Sequence, residues 1–236
     1  MKYIDRSLVD EPEILKGQTA PSKDEEVDSD IYGHEDVKTA LKKLQNGICC
    51  YCESYYAHTT YGDVEHYRPK GYYQQYKGDK QHRPGYYWLA YKWENLMYAC
   101  EVCNRTYKKN YFPLKDPDKR FKRETLDISR EEPLLINPYE EKNIEKHLTF
   151  EENRIKPLTD EGKASIDYYG LDRRELDESR RGIYNEINAF VDLAELSRGT
   201  HNEVLAQNKV KSFVKQKIDD GQHTLMIKCD FGDFIK

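Results

Sequence analysis

Two cysteine pairs, Cys49-x-x-Cys52 and Cys100-x-x-Cys103, constrain this chain more than any other feature. A CxxC turn presents two sulfurs to a common point, and two such turns supply the four thiolates of a closed tetrahedral zinc site. The knuckles are separated by 47 residues, more than a compact zinc ribbon allows. A shared ion must therefore join distant stretches and leave the intervening chain projecting from its base. Five of the six cysteines lie in the two knuckles, and in a reducing compartment grouped cysteines hold metal more readily than they form bridges. Cys50 stands one residue out of register and reads as a packing residue, with replacement of Cys49 as ligand left open. Cys229, alone near the C-terminus, reads as a core residue.

The 236 residues suffice for a sizeable core without disulfides. The start, MKYIDRSLVD, has no apolar signal region, and no run reaches the roughly 18 to 20 apolar residues of a membrane span, so a cytoplasmic location away from membranes is expected. A net charge of −5 argues against a nucleic-acid partner for the chain as a whole, but His66 to Arg123 carries 14 Lys and Arg against 5 Asp and Glu. A basic middle between acidic flanks can meet phosphate. Fourteen of the 20 tyrosines fall between Tyr51 and Tyr111. Filling a core built on short strands is the favoured role for each, with base stacking the alternative.

The chain divides into a lead-in and helix (1–46), a knuckle-bearing segment (47–125) and a hairpin followed by helices (126–236). The acidic stretch KDEEVDSDIYGHED reads as an exposed lead-in rather than a binding surface. Val37, Ala40, Leu41 and Leu44 predict a helix over 34–46, with Gly47 suited to the C′ position. Asp63 to Tyr67 suits a strand that Pro69 ends. The Tyr/Gly/Lys/Gln-rich insertion that follows reads as a loop, WLAYKWENLMYAC as a second apolar run and EVCNRTYKKN as a short polar helix. HLTFEENRIKPL predicts a hairpin turning at Glu152 and Asn153. Asp172 with Glu175 and Thr200 with Glu203 have capping-box spacing ahead of apolar helical faces, and HTLMIKC suggests a closing strand.

A four-cysteine site has no open coordination position, so chemistry must come from polar residues beside the knuckles. These are Glu65-His66 in GDVEHYRPK, Asn95 in WENL and Asn104 in EVCNRTYK. The order CxxC, Glu-His, W-x-Asn-Leu, Cys-x-x-Cys-Asn and a trailing Lys108 resembles the HNH endonucleases of the ββα-metal type. More narrowly, VEHYRPK, KWENL, ACEVCNRTYK, YFPL and a later INP segment resemble the PtuB-like nuclease subunits of Septu and related retron anti-phage systems. The motifs cover about residues 47 to 114, and the tail matches more loosely.

The resemblance implies an α+β fold: a ββα-metal HNH core fastened by a structural zinc on four cysteines, with a mainly helical C-terminal region. It implies a metal-dependent endonuclease in which His66 is the general base and Glu65 and Asn104 hold one Mg²⁺ or Mn²⁺. Asn95 would orient the loop and the imidazole. Hydrolysis of a phosphodiester needs such a base and such a cation, and hard cations prefer oxygen ligands. Glutamate stands where aspartate is common in the family, and asparagine where the last letter is histidine. Neighbours on a regular strand face opposite ways, so Glu65 and His66 must sit where the strand ends or twists.

Arg68, Lys70, Arg105 and Lys108 are the expected phosphate contacts, the run from Lys115 to Glu124 a possible extension, and His58 and His82 weaker candidates. The expected partners are nucleic acid (DNA, with tRNA or other RNA as the alternative), a Septu-type ATPase docking on the helical tail or acidic flanks, and, in a retron system, a reverse transcriptase with its multicopy DNA. The competing functional reading is a zinc-fastened nucleic-acid-binding or adaptor subunit that does not cut.

Overall fold

The computed structural model describes residues 1–22, 25–56, 62–121 and 128–235. A short helix α1 (Ser29–Tyr32) leads into α2 (Glu35–Leu44), whose buried Val37, Leu41 and Leu44 recur at helical spacing. His34 caps α2 by accepting from the Asp36 N–H at 3.2 Å. Glu35 and Asp36 in its first turn and Lys42 and Lys43 in its last oppose the helix dipole. The helix stops in a Schellman-type turn in which Gly47 N–H donates to the Lys42 carbonyl at 2.9 Å. Asn46 takes the left-handed C′ position at φ 53°, so Gly47, also left-handed, lies one residue beyond the place expected of it.

That turn delivers the chain to the first knuckle. Strand β1 (Asp63–His66) follows and pairs antiparallel with β2 (Leu96–Ala99), Glu65 opposite Met97 and His66 opposite Leu96. A single turn of π-helix, Val102–Lys108, completes the unit. Gln45 locks α2 to the sheet: its Nε2 donates to the Tyr98 carbonyl at 2.7 Å and its Oε1 accepts from the Tyr98 N–H at 2.9 Å. The insertion expected as a loop is held by isolated bridges, Tyr73 to His82 and Gln74 to Tyr111. Tyr51, Tyr67, Tyr86 and Tyr98 are buried in the core, as favoured for the tyrosines.

Beyond it, β3 (Leu148–Glu151) and β4 (Arg154–Pro157) form the expected hairpin with Glu152 and Asn153 at the turn. Helix α3 (Asp160–Tyr169), capped by Thr159, packs on the π-helix. Gly170 ends α3 at φ 61°, and a Cβ there would lie 2.4 Å from the Tyr107 ring, so only glycine permits this approach. Helices α4 (Arg174–Leu196) and α5 (Glu203–Asp220) pack against each other, with Phe190 stacked on Phe213. Apolar side chains from all three segments join one core.

Three local expectations change. HTLMIKC is not a strand but lies at the start of helix α6 (Thr224–Phe231), because Leu225, Met226, Ile227 and Phe231 bury several sides of a short helix and leave no alternation to read. Cys229 is exposed, with its sulfur 3.9 Å from Thr149 Oγ1 of β3, and is not a core residue. Neither capping box forms as spaced. The residue ahead of α4 is Arg173, without a side-chain cap, and Thr200 accepts from the Asn202 N–H in the turn before α5 while Glu203 reaches back to the Gly199 N–H. No helix among the described residues is long and apolar enough to cross a membrane.

Candidate metal centre and active site

The four knuckle cysteines converge. The sulfurs of Cys49, Cys52, Cys100 and Cys103 all lie within 4.8 Å of one another, and all four residues are buried. Cys52 and Cys100 sulfurs are 3.9 Å apart, close to the ~3.8 Å edge of a tetrahedron with 2.3 Å metal–sulfur bonds. The backbone supports the set: Cys100 N–H donates to Cys49 Sγ at 3.4 Å and Cys103 N–H to Cys100 Sγ at 3.5 Å. Arg173, just ahead of α4, donates to Cys103 Sγ at 3.5 Å and brings positive charge to the thiolates. Burial pushes the Cys49 thiol well up, whereas hydrogen bonds from Cys100 and Cys103 hold that of Cys52 well below the ordinary thiol range. Cys50 is buried too, but its sulfur stands outside the cluster.

On the same β1–β2 frame lies a cleft of about 740 Å³, lined by Asp63, Glu65, His66, Asn104, Lys70 and Arg105 among others. It therefore brings together Glu65, His66 and Asn104. The strand problem is solved at its last residue. Glu65 turns towards the π-helix, where its Oε1 meets Lys108 Nζ at 2.5 Å. His66 turns the other way, and its Nε2 lies 2.9 Å from the Ala90 carbonyl. A carbonyl only accepts, so Nε2 carries the proton and Nδ1 keeps the lone pair. Burial, with the nearby Lys70 ammonium, pushes the imidazole down to about 3, leaving it neutral at pH 7. Burial raises the Glu65 carboxyl, and Lys108 opposes that shift.

Asn95 acts on the backbone. Its Oδ1 accepts from the Arg68 N–H at 2.8 Å, and its Nδ2 donates to the Arg68 and Leu89 carbonyls at 3.0 and 3.3 Å. It thus pins the loop after β1 and the residue before Ala90, whose carbonyl orients His66. The link from Asn95 to the imidazole runs through backbone rather than by contact.

Two residues of the cleft went unnoticed in the sequence. Asp63 accepts from Asn104 Nδ2 at 3.0 Å and from Arg105 Nε at 2.8 Å, so it fixes the asparagine amide. Its spacing of two from Glu65 on a strand put both carboxylates on one face and was the available signal. Tyr32, from the acidic lead-in, packs edge-on to His66 with centroids 4.7 Å apart, and Lys70 Nζ lies 4.4 Å from the same ring. Charge composition hid this single aromatic.

The cations divide. Lys70 and Arg105 line the cleft. Arg68 and Lys108 do not offer the phosphate contact expected of them: Arg68 is buried against Glu131, and Lys108 is buried on Glu65 and the His66 carbonyl. In the Lys115–Glu124 run, Lys115 pairs with Glu161 at 2.5 Å and Arg120 donates into the core, to Tyr86 and Phe112. Lys122 to Glu124 lie outside the described residues, as does His58. His82 bonds Asp79.

The fold and site thus define a small α+β protein with four buried cysteines positioned to hold a metal ion and a polar cleft beside them. Its relatives are more specific. The chain is 42% identical over 173 residues to the Septu protein PtuB of Bacillus mycoides (strain KBAB4), an alignment covering 72% of this chain and 58% of that protein. The Septu protein PtuA of the same organism is 27% identical over 149 residues, 63% of this chain and 21% of PtuA. The chain is similar to PtuB, over an alignment that spans under two thirds of PtuB's length. No family model and no solved structure matches it.

Proposed function

We propose that this chain is a metal-dependent endonuclease of the HNH, ββα-metal type, acting in Septu anti-phage defence beside a partner ATPase. The observation that carries the reading is the cleft: a neutral imidazole with a fixed tautomer, two carboxylates and an asparagine, all set on a frame that the cysteine centre holds. The PtuB and PtuA relatives support the Septu assignment.

In this reading the cysteine centre holds zinc and is structural. Glu65 and the Asn104 side-chain oxygen, with Asp63 beside them, are the hard donors that would hold Mg²⁺ or Mn²⁺, which when bound stabilises charge on the phosphate and the departing oxygen. His66 Nδ1 takes the proton of the attacking water, and the Ala90 carbonyl keeps the ring oriented as it does so. Lys70 and Arg105 draw the phosphodiester into the cleft, and the helical tail or the acidic flanks offer a surface for the ATPase. Retron components enter only where a reverse transcriptase gene adjoins this one.

The test is to incubate the purified protein, alone and with the ATPase, with DNA and RNA plus Mg²⁺ or Mn²⁺. His66→Ala should lower cleavage by about 10² to 10⁴ while zinc content and circular dichroism stay unchanged. Cleavage indifferent to that substitution would remove the mechanism, and binding without cleavage of any substrate would leave a zinc-fastened binder.

A further inference from the structure

We propose that the cavity on the far side of Tyr32 from His66 is a subsite for one unpaired nucleic-acid strand, continuing the path that starts in the cleft; this rests on the nuclease reading above. Two cavities, of about 740 and 670 Å³, flank a common bar made of Ser29, Tyr32 and Lys70, which line both. Tyr32 spans the bar, its edge on His66 and its ring under the Lys70 ammonium. The first cavity holds the chemistry. The second is lined by Lys70, Arg83 and Tyr87 together with Glu25 and Glu26.

A lining that carries both charges selects for strandedness. Its cations follow a single phosphodiester backbone, while its carboxylates repel a second polyanion. Tyr32 and Tyr72, the latter with the exposed Arg83 guanidinium 5.1 Å from its ring centroid, add faces on which bases can stack without regard to sequence. The bar makes the same choice sterically. His66 is only 5% exposed beneath it, and a duplex, stiff over about 150 base pairs, does not bend into a hole behind a tyrosine as a single strand can. The proposed substrate is therefore single-stranded, or a strand locally opened from a duplex, with Arg83 holding the nucleotide next to the one cut.

Binding is tested apart from catalysis, with no divalent cation added, by fluorescence anisotropy of labelled oligothymidylate and of the same strand annealed to oligoadenylate. The single strand should bind at least about tenfold more tightly. Arg83→Ala should weaken that binding and reduce the slope of log K against log salt by about 0.7, the loss of one phosphate contact on a single strand. Glu25→Gln combined with Glu26→Gln should narrow the preference over duplex. Hydrolysis of bis(p-nitrophenyl) phosphate by the parent protein in Mg²⁺ or Mn²⁺ reads the chemistry apart from strand binding. Equal affinity for duplex, or an unchanged salt slope in Arg83→Ala, overturns the subsite. Strand binding with these dependences but no diester hydrolysis in Mg²⁺ or Mn²⁺ keeps the subsite and removes the nuclease reading.

Discussion

At the cysteine centre all four ligating side chains are buried, and two of the sulfurs accept backbone N–H bonds. At the neighbouring cleft, Glu65 and His66 on β1 are buried, while on the π-helix Asn104 is half-buried and Arg105 is exposed. The first arrangement is closed to solvent. The second keeps its imidazole and carboxylate dry, which holds the imidazole neutral, while Arg105 faces solvent. In the proposed reading one frame separates holding a metal from reacting, and substitutions in the two places should fail in different ways.

The largest expected effect is at the centre. Cys52→Ser removes one of four thiolates, and structural zinc sites contribute on the order of 10 kcal/mol to folding, so this variant should lose zinc and native structure together. Zinc content by atomic emission and thermal unfolding report both. Cys50→Ser, one position from a ligand, should keep the ion and cost about 1 to 3 kcal/mol as a buried hydroxyl. Zinc loss there instead would show that Cys50 is the ligand. The next effect belongs to the cleft. Lys108→Met strands the buried Glu65 carboxylate and should cost about 3 to 5 kcal/mol in urea unfolding, and Glu65→Gln in the same chain should recover much of it. No recovery would mean that the pair is not coupled as its 2.5 Å contact implies.

What the sequence revealed of these two regions follows the same division. Cys49, Cys52, Cys100 and Cys103 were legible because ligand spacing is a local property that metal geometry dictates. The hairpin turning at Glu152 was legible for a similar reason, alternation ending at two turn residues. Glu65, His66 and Asn104 could be named, yet only through a motif. The inward turn of Arg68 and Lys108 was hidden, since burying a charge depends on a partner far along the chain: Glu131 for one, Glu65 for the other. Tyr32 was hidden likewise, its contact with His66 being made by tertiary packing. Helix α6 was misread because a run as short as LMI fits either period.

A smaller effect sharpens the boundary between the regions. Arg173 donates to Cys103 Sγ but holds no metal. Arg173→Ala should leave the fold intact and weaken zinc by about 10- to 100-fold, read by competition with a chromogenic chelator. An unchanged affinity would place Arg173 in the packing of α3 and α4 only, through its bond to the Gly170 carbonyl at 2.8 Å.

The smallest effect is a slope. His66 is held down to about 3 in the folded protein, against 6.5 in its ordinary state, so the unfolded chain takes up a proton on this residue while the folded one does not. Its contribution to stability is present above pH 6.5 and is lost as the pH falls through the window towards 3, at up to about 1.4 kcal/mol per pH unit. Urea unfolding between pH 7 and pH 5 should therefore show stability declining, and His66→Gln should flatten the decline. Acid also releases metal from thiolates, so zinc release must be followed in the same samples. If both proteins release zinc at the same pH yet differ in slope above it, the acid sensitivity belongs to the cleft; if the slopes coincide, it lies outside the cleft, with the cysteine centre and the buried His223, held down to about 4, as its sources.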